Sequence, residues 1–455
     1  MSRENFDPTI FKAYDIRGIY PDQIDKDIAY AIGQGYVSVS NPTKPVVIGY
    51  DVRLHSEELK DAMVQGLIDA GVDVVDIGLI STEMIYFATG NYGYGGGIQV
   101  TASHNPAEWH GAKMVKEGAE PISSESGLQE IRDFVATGEK ISSDKKGTVT
   151  KKDVLDDFCN YVLTWIDATK IKPLSLVYNA NFGFEGEVLK KVIEIGKLPL
   201  TLVPLNAEPD GNFPKGRPDP FVPENRIETI ELIKKEKPDL GVAWDADADR
   251  VFFFTEDGRF VDSYFANTLL IKYMLLKNPS SKIVYDPRYT WALIDAAKNA
   301  GGSSIIGRVG HSFIKTLMRQ ENAVFSGESS GHTYYRDFWF ADSGMIPLLQ
   351  ILEILSKEDK SLSELLSDVQ SKYFITGEIN FTTEKAKEIM AKAEEKYVDS
   401  EISHLDGVSC EYSDWRFNLR SSNTEPLLRL NLEAKSAELL EQKKAEVVEF
   451  IESNK

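Results

Sequence analysis

The sequence predicts an α/β protein: three similar layered α/β domains with mixed sheets plus a smaller C-terminal α+β domain, around one central cleft. Three observations carry that prediction. A unit of strand, helix, strand, helix, strand occurs three times along the chain, each copy ends in a polar loop, and the last ninety or so residues follow a different pattern. Strands alternating with helices of this length favour layered α/β domains, whose ligands gather beyond the carboxyl ends of strands.

The first copy reads as strands at 46–50, 72–77 and 97–101 with helices at 56–70 and 82–89, and its last strand delivers Ser103. The second has strands at 174–178, 198–205 and 240–244 with helices at 185–195 and 226–235, and delivers Asp245, Asp247 and Asp249. The third has strands at 282–285, 304–307 and 323–326 with helices at 290–299 and 312–320, and delivers a Gly-Glu-Ser-Ser-Gly-His loop at 327–332. Polar stretches at 136–152 and 356–361 read as linkers. Beyond them a strand at 374–381, a charged helix at 382–397, a strand-loop-strand at 415–432 and a final helix at 437–452 form the fourth part. The domain boundaries expected are 1–150, 151–256, 257–366 and 367–455.

Composition narrows the function classes. A chain of 455 residues with 42% hydrophobic content can bury several cores. Cys159 and Cys410 stand far apart and outside any C-x-x-C pair, so neither a disulfide framework nor a zinc knuckle is expected. The N-terminus has no apolar signal core and no run is long enough to span a bilayer, which makes the cytoplasm the expected location. A net charge of −20 repels nucleic acid and anionic lipid, so neither is expected as a partner, nor is an obligate protein partner; an anionic substrate needs a local basic cleft.

The segment Asp-Ala-Asp-Ala-Asp-Arg at 245–250 follows the apolar run 240–244 directly. Three carboxylates at alternate positions suit a hard divalent cation such as Mg²⁺, which keeps its remaining positions for water and phosphate. An EF-hand loop would share the spacing and a Glu at the twelfth position, Glu256, but needs glycine at the sixth, where Arg250 stands. The run 251–254 reads instead as a buried strand entering an Asp257-Gly258 hairpin.

Ser103 lies in the turn-rich Thr-Ala-Ser-His-Asn-Pro segment at 101–106. His104 is adjacent, and neighbours on extended backbone point to opposite faces, so it is not expected to serve Ser103 as the base of a hydrolase triad. A phosphoserine would bring a charge of about −1.5 to −2 and several acceptor oxygens, enough to complete a three-aspartate metal shell. A second polar loop, Arg-Ser-Ser-Asn-Thr-Glu-Pro at 420–426, joins two strands, with Arg429 close behind. Its guanidinium, hydroxyls and amides suit a phosphate held without chemistry.

These four segments, in this order and over essentially the whole chain, resemble the α-D-phosphohexomutase superfamily, in particular its bacterial phosphomannomutase/phosphoglucomutase branch. Tyr-Asp-Ile-Arg-Gly at 14–18, Gly-His-Ser-Phe-Ile-Lys at 310–315 and Ala-Asp-Ser-Gly-Met-Ile-Pro at 341–347 resemble it too. Two departures stand out. Trp-His-Gly-Ala-Lys at 109–113 replaces the family's Tyr-Asn-Gly-x-Lys, and Ala246 stands where glycine is common, tolerable if that residue avoids positive φ.

The resemblance implies reversible phosphoryl transfer between O1 and O6 of mannose and glucose phosphates through phospho-Ser103 and a hexose 1,6-bisphosphate, with Mg²⁺ held by Asp245, Asp247, Asp249 and Ser103. It further implies Arg250 as the neutraliser of developing charge and Lys113 and His311 as acid/base candidates. Glu328, Ser330 and His332 would meet the sugar, Tyr14, Arg17 and Arg288 would complete the cleft, and Arg420, Ser421, Ser422, Asn423, Thr424 and Arg429 would hold the non-reacting phosphate. The implied partners are small phosphosugars. Phosphoglucosamine mutase, a Mg²⁺-dependent sugar phosphatase and a non-catalytic phosphosugar-binding protein stay open as alternatives, although the phosphatase would need no second phosphate clamp and the binding protein no phosphorylatable serine beside a metal loop.

Overall fold

The computed structural model describes residues 6–421 and 426–455. The chain falls into two compact units, one holding the chain up to Phe260 together with Gly331–Asp359, the other Val261–Ser330 together with Lys360–Lys455.

The first unit contains two mixed sheets. In one, the parallel strands Gly96–Val100, Val46–Tyr50, Val74–Leu79 and Val149–Lys151 lie in that order. Trp109–Lys116 and then Ile16–Ile19 extend it on the Gly96–Val100 side, both antiparallel. Val46 to Gly49 are buried because helices cover both faces, the usual reason for continuous apolar runs in parallel strands. Ser56–Asp69 packs against Lys26–Ser40, a helix started by Asp25, whose side chain accepts from the Ile28 amide. In the second sheet Leu174–Asn179 pairs in parallel with Leu200–Leu205 on one side and Leu240–Trp244 on the other, and Val251–Phe254 returns antiparallel. Every residue of Leu240–Trp244 and Val251–Phe254 is buried.

The helix Met345–Glu358 belongs to this unit as well. Its first turn is capped by Glu83, whose Oε2 accepts from the Gly344 and Met345 amides at 3.1 and 3.3 Å and from the Ser343 hydroxyl. Trp244 Nε1 donates to the Gly344 carbonyl at 3.0 Å.

In the second unit the parallel strands Ser303–Ile306, Lys282–Tyr285 and Phe325–Gly327 lie in that order. An antiparallel sheet follows, running Phe374–Ile375, Leu427–Ala434, Trp415–Ser421, Val408–Glu411, Glu401–Ser403. One face of its two long strands is apolar, with Phe417, Leu419, Leu428, Leu430 and Leu432 packed among Ile389, Val447 and Ile451 of the helices Ala386–Lys396 and Ala437–Asn454. The other face is polar and carries Arg416, Asn418 and Arg420 beside Glu433, Asn431 and Arg429.

Several elements differ from expectation. The strand expected at 374–381 breaks into Phe374–Ile375 and Ile379–Thr382 around Gly377, whose φ of +72° turns the chain. The linker expected at 136–152 ends in the strand Val149–Lys151, and that at 356–361 begins inside the helix Met345–Glu358. Among the described residues no helix is long and apolar enough to cross a membrane. Both cysteines are buried free thiols.

Candidate active site

In the first unit the strand Gly96–Val100 leads into the serine loop. Thr101 Oγ1 accepts from the Ser103 amide at 2.8 Å, and Ser103 takes φ +51°, a left-handed conformation uncommon outside glycine. That kink corrects the expectation for His104. The backbone is not extended there, so both side chains turn the same way, and His104 Nδ1 lies 3.1 Å from Ser103 Oγ. Burial, aided by Arg250 and Arg17, pushes the His104 imidazole well below its ordinary pKa and keeps it neutral. Ser103 Oγ is 3.5 Å from Asp245 Oδ2. Arg53, itself buried, holds the loop from beneath with hydrogen bonds to the carbonyls of Ser103, Asn105, Pro106 and Trp109.

The metal-loop carboxylates converge where the strand Leu240–Trp244 ends. One ligand atom from each of Asp245, Asp247 and Asp249 lies within 4.8 Å of the others, and all three residues are buried. Asp245 accepts from the Arg250 amide at 3.2 Å and from its Nε at 2.7 Å. Asp247 Oδ2 accepts from Thr82 Oγ1 at 2.7 Å and from Lys113 Nζ at 2.6 Å, and Lys113 also reaches Asp249. Asp247 Oδ1 and Asp249 Oδ1 are buried without a hydrogen-bond partner among the described residues. An oxygen-only donor set with unmatched anionic atoms fits a hard divalent cation. Ala246 does avoid positive φ; the left-handed residue of the loop is Ala248, at +59°.

Burial raises the Asp245 carboxyl to about 7 against the pull of Arg250. It would raise Asp247 too, but Lys113 beside it holds that carboxyl below its ordinary value. Burial disfavours the Lys113 ammonium, yet Asp247 and Asp249 outweigh it and keep the group protonated. The register explains the position of Lys113: Trp109–Lys116 runs antiparallel to Gly96–Val100 and sets Lys113 opposite Gln99. The departure at 109–110 has a local account. His110 is buried, accepts from the His55 amide at 3.3 Å and packs against the rings of Tyr20 and His55.

His332 follows Gly331, whose φ is +97° and where an added Cβ would stand 2.7 Å from the Phe252 ring. Its backbone bridges to Arg250, and its Nδ1 lies 3.0 Å from Asp342 Oδ2 and 3.8 Å from Asp249 Oδ1. Arg17 pairs with Asp15 and donates to Asn105 Oδ1 at 2.6 Å, which ties it to the serine loop. Tyr14 sits half-buried in the bend before Ile16–Ile19. Ser103, Lys113, Asp245, Asp247, Asp249, Arg250, Arg17 and His332 therefore form one group.

A second group occupies the second unit. Arg288 pairs with both oxygens of Asp286 at 2.9 and 2.8 Å and lies 3.4 Å from Glu328 Oε1, which also accepts from the Gly310 amide at 3.0 Å. His311 is the first residue of the helix His311–Glu321, and Ser330 is half-buried. Arg416 donates to the carbonyls of Pro287 and Arg288, and Glu433 accepts from the Thr290 and Trp291 amides, so the polar face of the antiparallel sheet braces the turn that carries Arg288. Arg420 and Arg429 are cross-strand partners, and Ser421 ends its strand. Ser422, Asn423 and Thr424 lie outside the described residues.

Sequence reasoning passed over Arg53, Thr82 and Asp219, and gave no role to Asp342 within the segment 341–347. Asp219 is buried and lies 2.8 Å from Arg217 and 3.4 Å from Arg250. Two signals were available: Asp51-x-Arg53 follows the first strand's carboxyl end, and Pro218-Asp219-Pro220 is a rigid acidic turn.

Family models of the phosphoglucomutase/phosphomannomutase α/β/α domains match residues 8–142 as domain I, 156–258 as domain II and 262–373 as domain III, and the C-terminal domain matches 378–450. A phosphomannomutase of Vibrio cholerae is 46% identical over 438 residues, covering 94% of each chain. Proteins named phosphohexose mutases from Xanthomonas campestris are 44% identical over 440 residues, with 96% of this chain and 98% of theirs covered. The crystal structure of a phosphoglucomutase/phosphomannomutase family protein from Burkholderia thailandensis superposes with a TM-score of 0.89 at 31% identity, covering 98% of both chains. With all four of its domains matched in order around these loops, the chain belongs to the phosphoglucomutase/phosphomannomutase family.

Proposed function

We propose that this protein is a phosphohexomutase that moves a phosphoryl group between O1 and O6 of mannose and glucose phosphates, through phospho-Ser103 and a hexose 1,6-bisphosphate. One observation carries the reading: Ser103 Oγ lies 3.5 Å from Asp245, at the edge of a buried aspartate cluster in which Asp247 and Asp249 keep unmatched oxygens. Mg²⁺ held by Asp245, Asp247 and Asp249 supplies charge neutralisation at the phosphoryl group.

The free hydroxyl of the substrate attacks phosphorus, the new O–P bond forms as the P–Oγ bond of Ser103 breaks, and the hydroxyl proton passes to an enzyme base. Catalysis here is positioning and electrostatics. Arg250, fixed by Asp245, faces the charge that develops, and His104 lies within hydrogen-bond reach of Ser103 Oγ. Lys113 is an ammonium between two aspartates, which suits it to donate a proton rather than take one, and leaves His311 as the second acid/base group. The bisphosphate then turns end for end, so that its other phosphate returns to Ser103 while the Arg420 loop holds the first. Glu328 and Ser330 bind sugar hydroxyls common to both epimers, and a site without buried polar groups aimed at C2 discriminates weakly between them.

A ³¹P NMR time course with Mg²⁺, a trace of hexose 1,6-bisphosphate and competing mannose and glucose 1-phosphates tests this reading. Both 1-phosphates should convert to 6-phosphates. Inorganic phosphate as the sole product would make the protein a phosphatase, and unchanged spectra would overturn the assigned substrates.

A further inference from the structure

On the polar face of the antiparallel sheet the two ends are matched differently. Arg416 meets Glu433 and donates to two backbone carbonyls, so its charge is fully engaged. At the other end Arg420 and Arg429 both approach the Glu378 carboxylate, at 3.5 and 3.7 Å. Both distances exceed the roughly 2.7–2.9 Å of a close charged hydrogen bond. Arg420 Nε is buried and meets no acceptor among the described residues. Glu378 itself has a side chain only 9% exposed and sits just after the turn at Gly377, one residue before the strand Ile379–Thr382.

We infer that Glu378 is a resident anion of the phosphate clamp, bridging Arg420 and Arg429 loosely until the substrate's phosphate displaces it. This rests on reading the two arginines as the seat of the non-reacting phosphate. A carboxylate offers two oxygens and one charge, whereas a phosphate monoester brings three oxygens and nearly two charges and so wins the exchange. The competitor keeps two adjacent guanidiniums in register and limits how tightly any phosphate is held. That limit matters for an intermediate that has to leave the clamp, turn and enter it again.

The test is calorimetric titration of the full-length protein with inorganic phosphate, in wild type, E378Q, E378D and R420A. Removing the carboxylate charge in E378Q should tighten phosphate binding at least threefold and lower the KM for glucose 1-phosphate, whereas damage to the fold would weaken both. E378D, with the carboxylate drawn back by one methylene, should shift the same way to a smaller extent and carries the test if E378Q does not fold. Phosphate binding that is unchanged or weaker in the Glu378 variants overturns the inference. Wild-type affinity retained in R420A would instead sink the clamp assignment, and the inference with it. The phosphate titration requires no turnover, so absence of mutase activity is distinguishable from either result.

Discussion

Arg53 donates through one terminal nitrogen to the carbonyl of Ser103 at 2.6 Å, which fastens the backbone of the candidate phosphoryl carrier to the end of the first parallel strand. The same guanidinium reaches the carbonyls of Asn105, Pro106 and Trp109 at 2.6, 2.6 and 2.9 Å. A lysine keeps the charge against Asp51 but cannot spread over four carbonyls. R53K is therefore expected to fold, yet to lose on the order of a hundredfold in kcat, the usual scale for a reacting group misplaced by about 1 Å. Steady-state kinetics together with mass spectrometry of Ser103 phosphorylation check this. Wild-type turnover in R53K would show that the loop holds its shape without the clamp.

A pH test comes from Glu83 and Glu185, both buried. Burial raises the Glu83 carboxyl from its ordinary 4.5 to about 7, and burial together with the facing Glu83 lifts Glu185 well above its ordinary value. Glu83 Oε2 is committed to capping the helix Met345–Glu358, which leaves Glu83 Oε1 and the two Glu185 oxygens to hold the proton the pair shares. For carboxyls raised on folding, the native state binds the extra proton. The stability Glu83 contributes is full below about 4.5 and is lost as pH rises through about 7, and Glu185 acts in the same direction. E185Q supplies a permanent donor. It should melt like wild type at pH 5 and at a higher temperature than wild type at pH 8. Parallel melting curves for the two proteins across that range would refute the shared proton.

Metal removal should separate activity from folding. Lys113 already places a positive charge between Asp247 and Asp249, so the cluster is not left as naked anions when the cation is withdrawn. EDTA is expected to abolish mutase turnover while the circular dichroism spectrum stays native. Returning Mg²⁺ at a hundred times its Kd should restore turnover and stabilise the fold by about 2.7 kcal/mol. Unfolding upon chelation would make the metal structural.

What was legible in the sequence is what sits next in the chain. The run from Leu240 to Trp244 is apolar without interruption because both faces are covered, and such a strand has to end in a loop, which puts Asp245 at a strand's carboxyl edge. Val251–Phe254 and the Asp257-Gly258 turn were readable in the same way. Trp109–Lys116 was not, because its buried His110 and Lys113 look like surface residues until Arg53, Asp247 and Asp249 are known to lie beside them. His104 was misjudged because a single left-handed residue reverses the alternation on which the argument stood. Arg53, Thr82 and Asp219 act over separations of fifty to 165 positions or through a folded turn, and periodicity carries no such information.

The return of Gly331–Asp359 to the first compact unit bears on how this enzyme can be cut into pieces. The homology boundary after the second domain falls at 258, but Ser343, Gly344 and the helix Met345–Glu358 that follows them supply the partners of Glu83, of the Trp244 indole and of the Asp167 amide. A fragment ending there would expose the apolar surface that this helix covers and leave the Glu83 carboxylate buried without its donors. The two N-terminal domains are thus not an excisable module. A soluble half-enzyme carrying the serine and metal loops needs residues 331–359 grafted back through a short linker, a discontinuous design that follows the packing rather than the order of the chain.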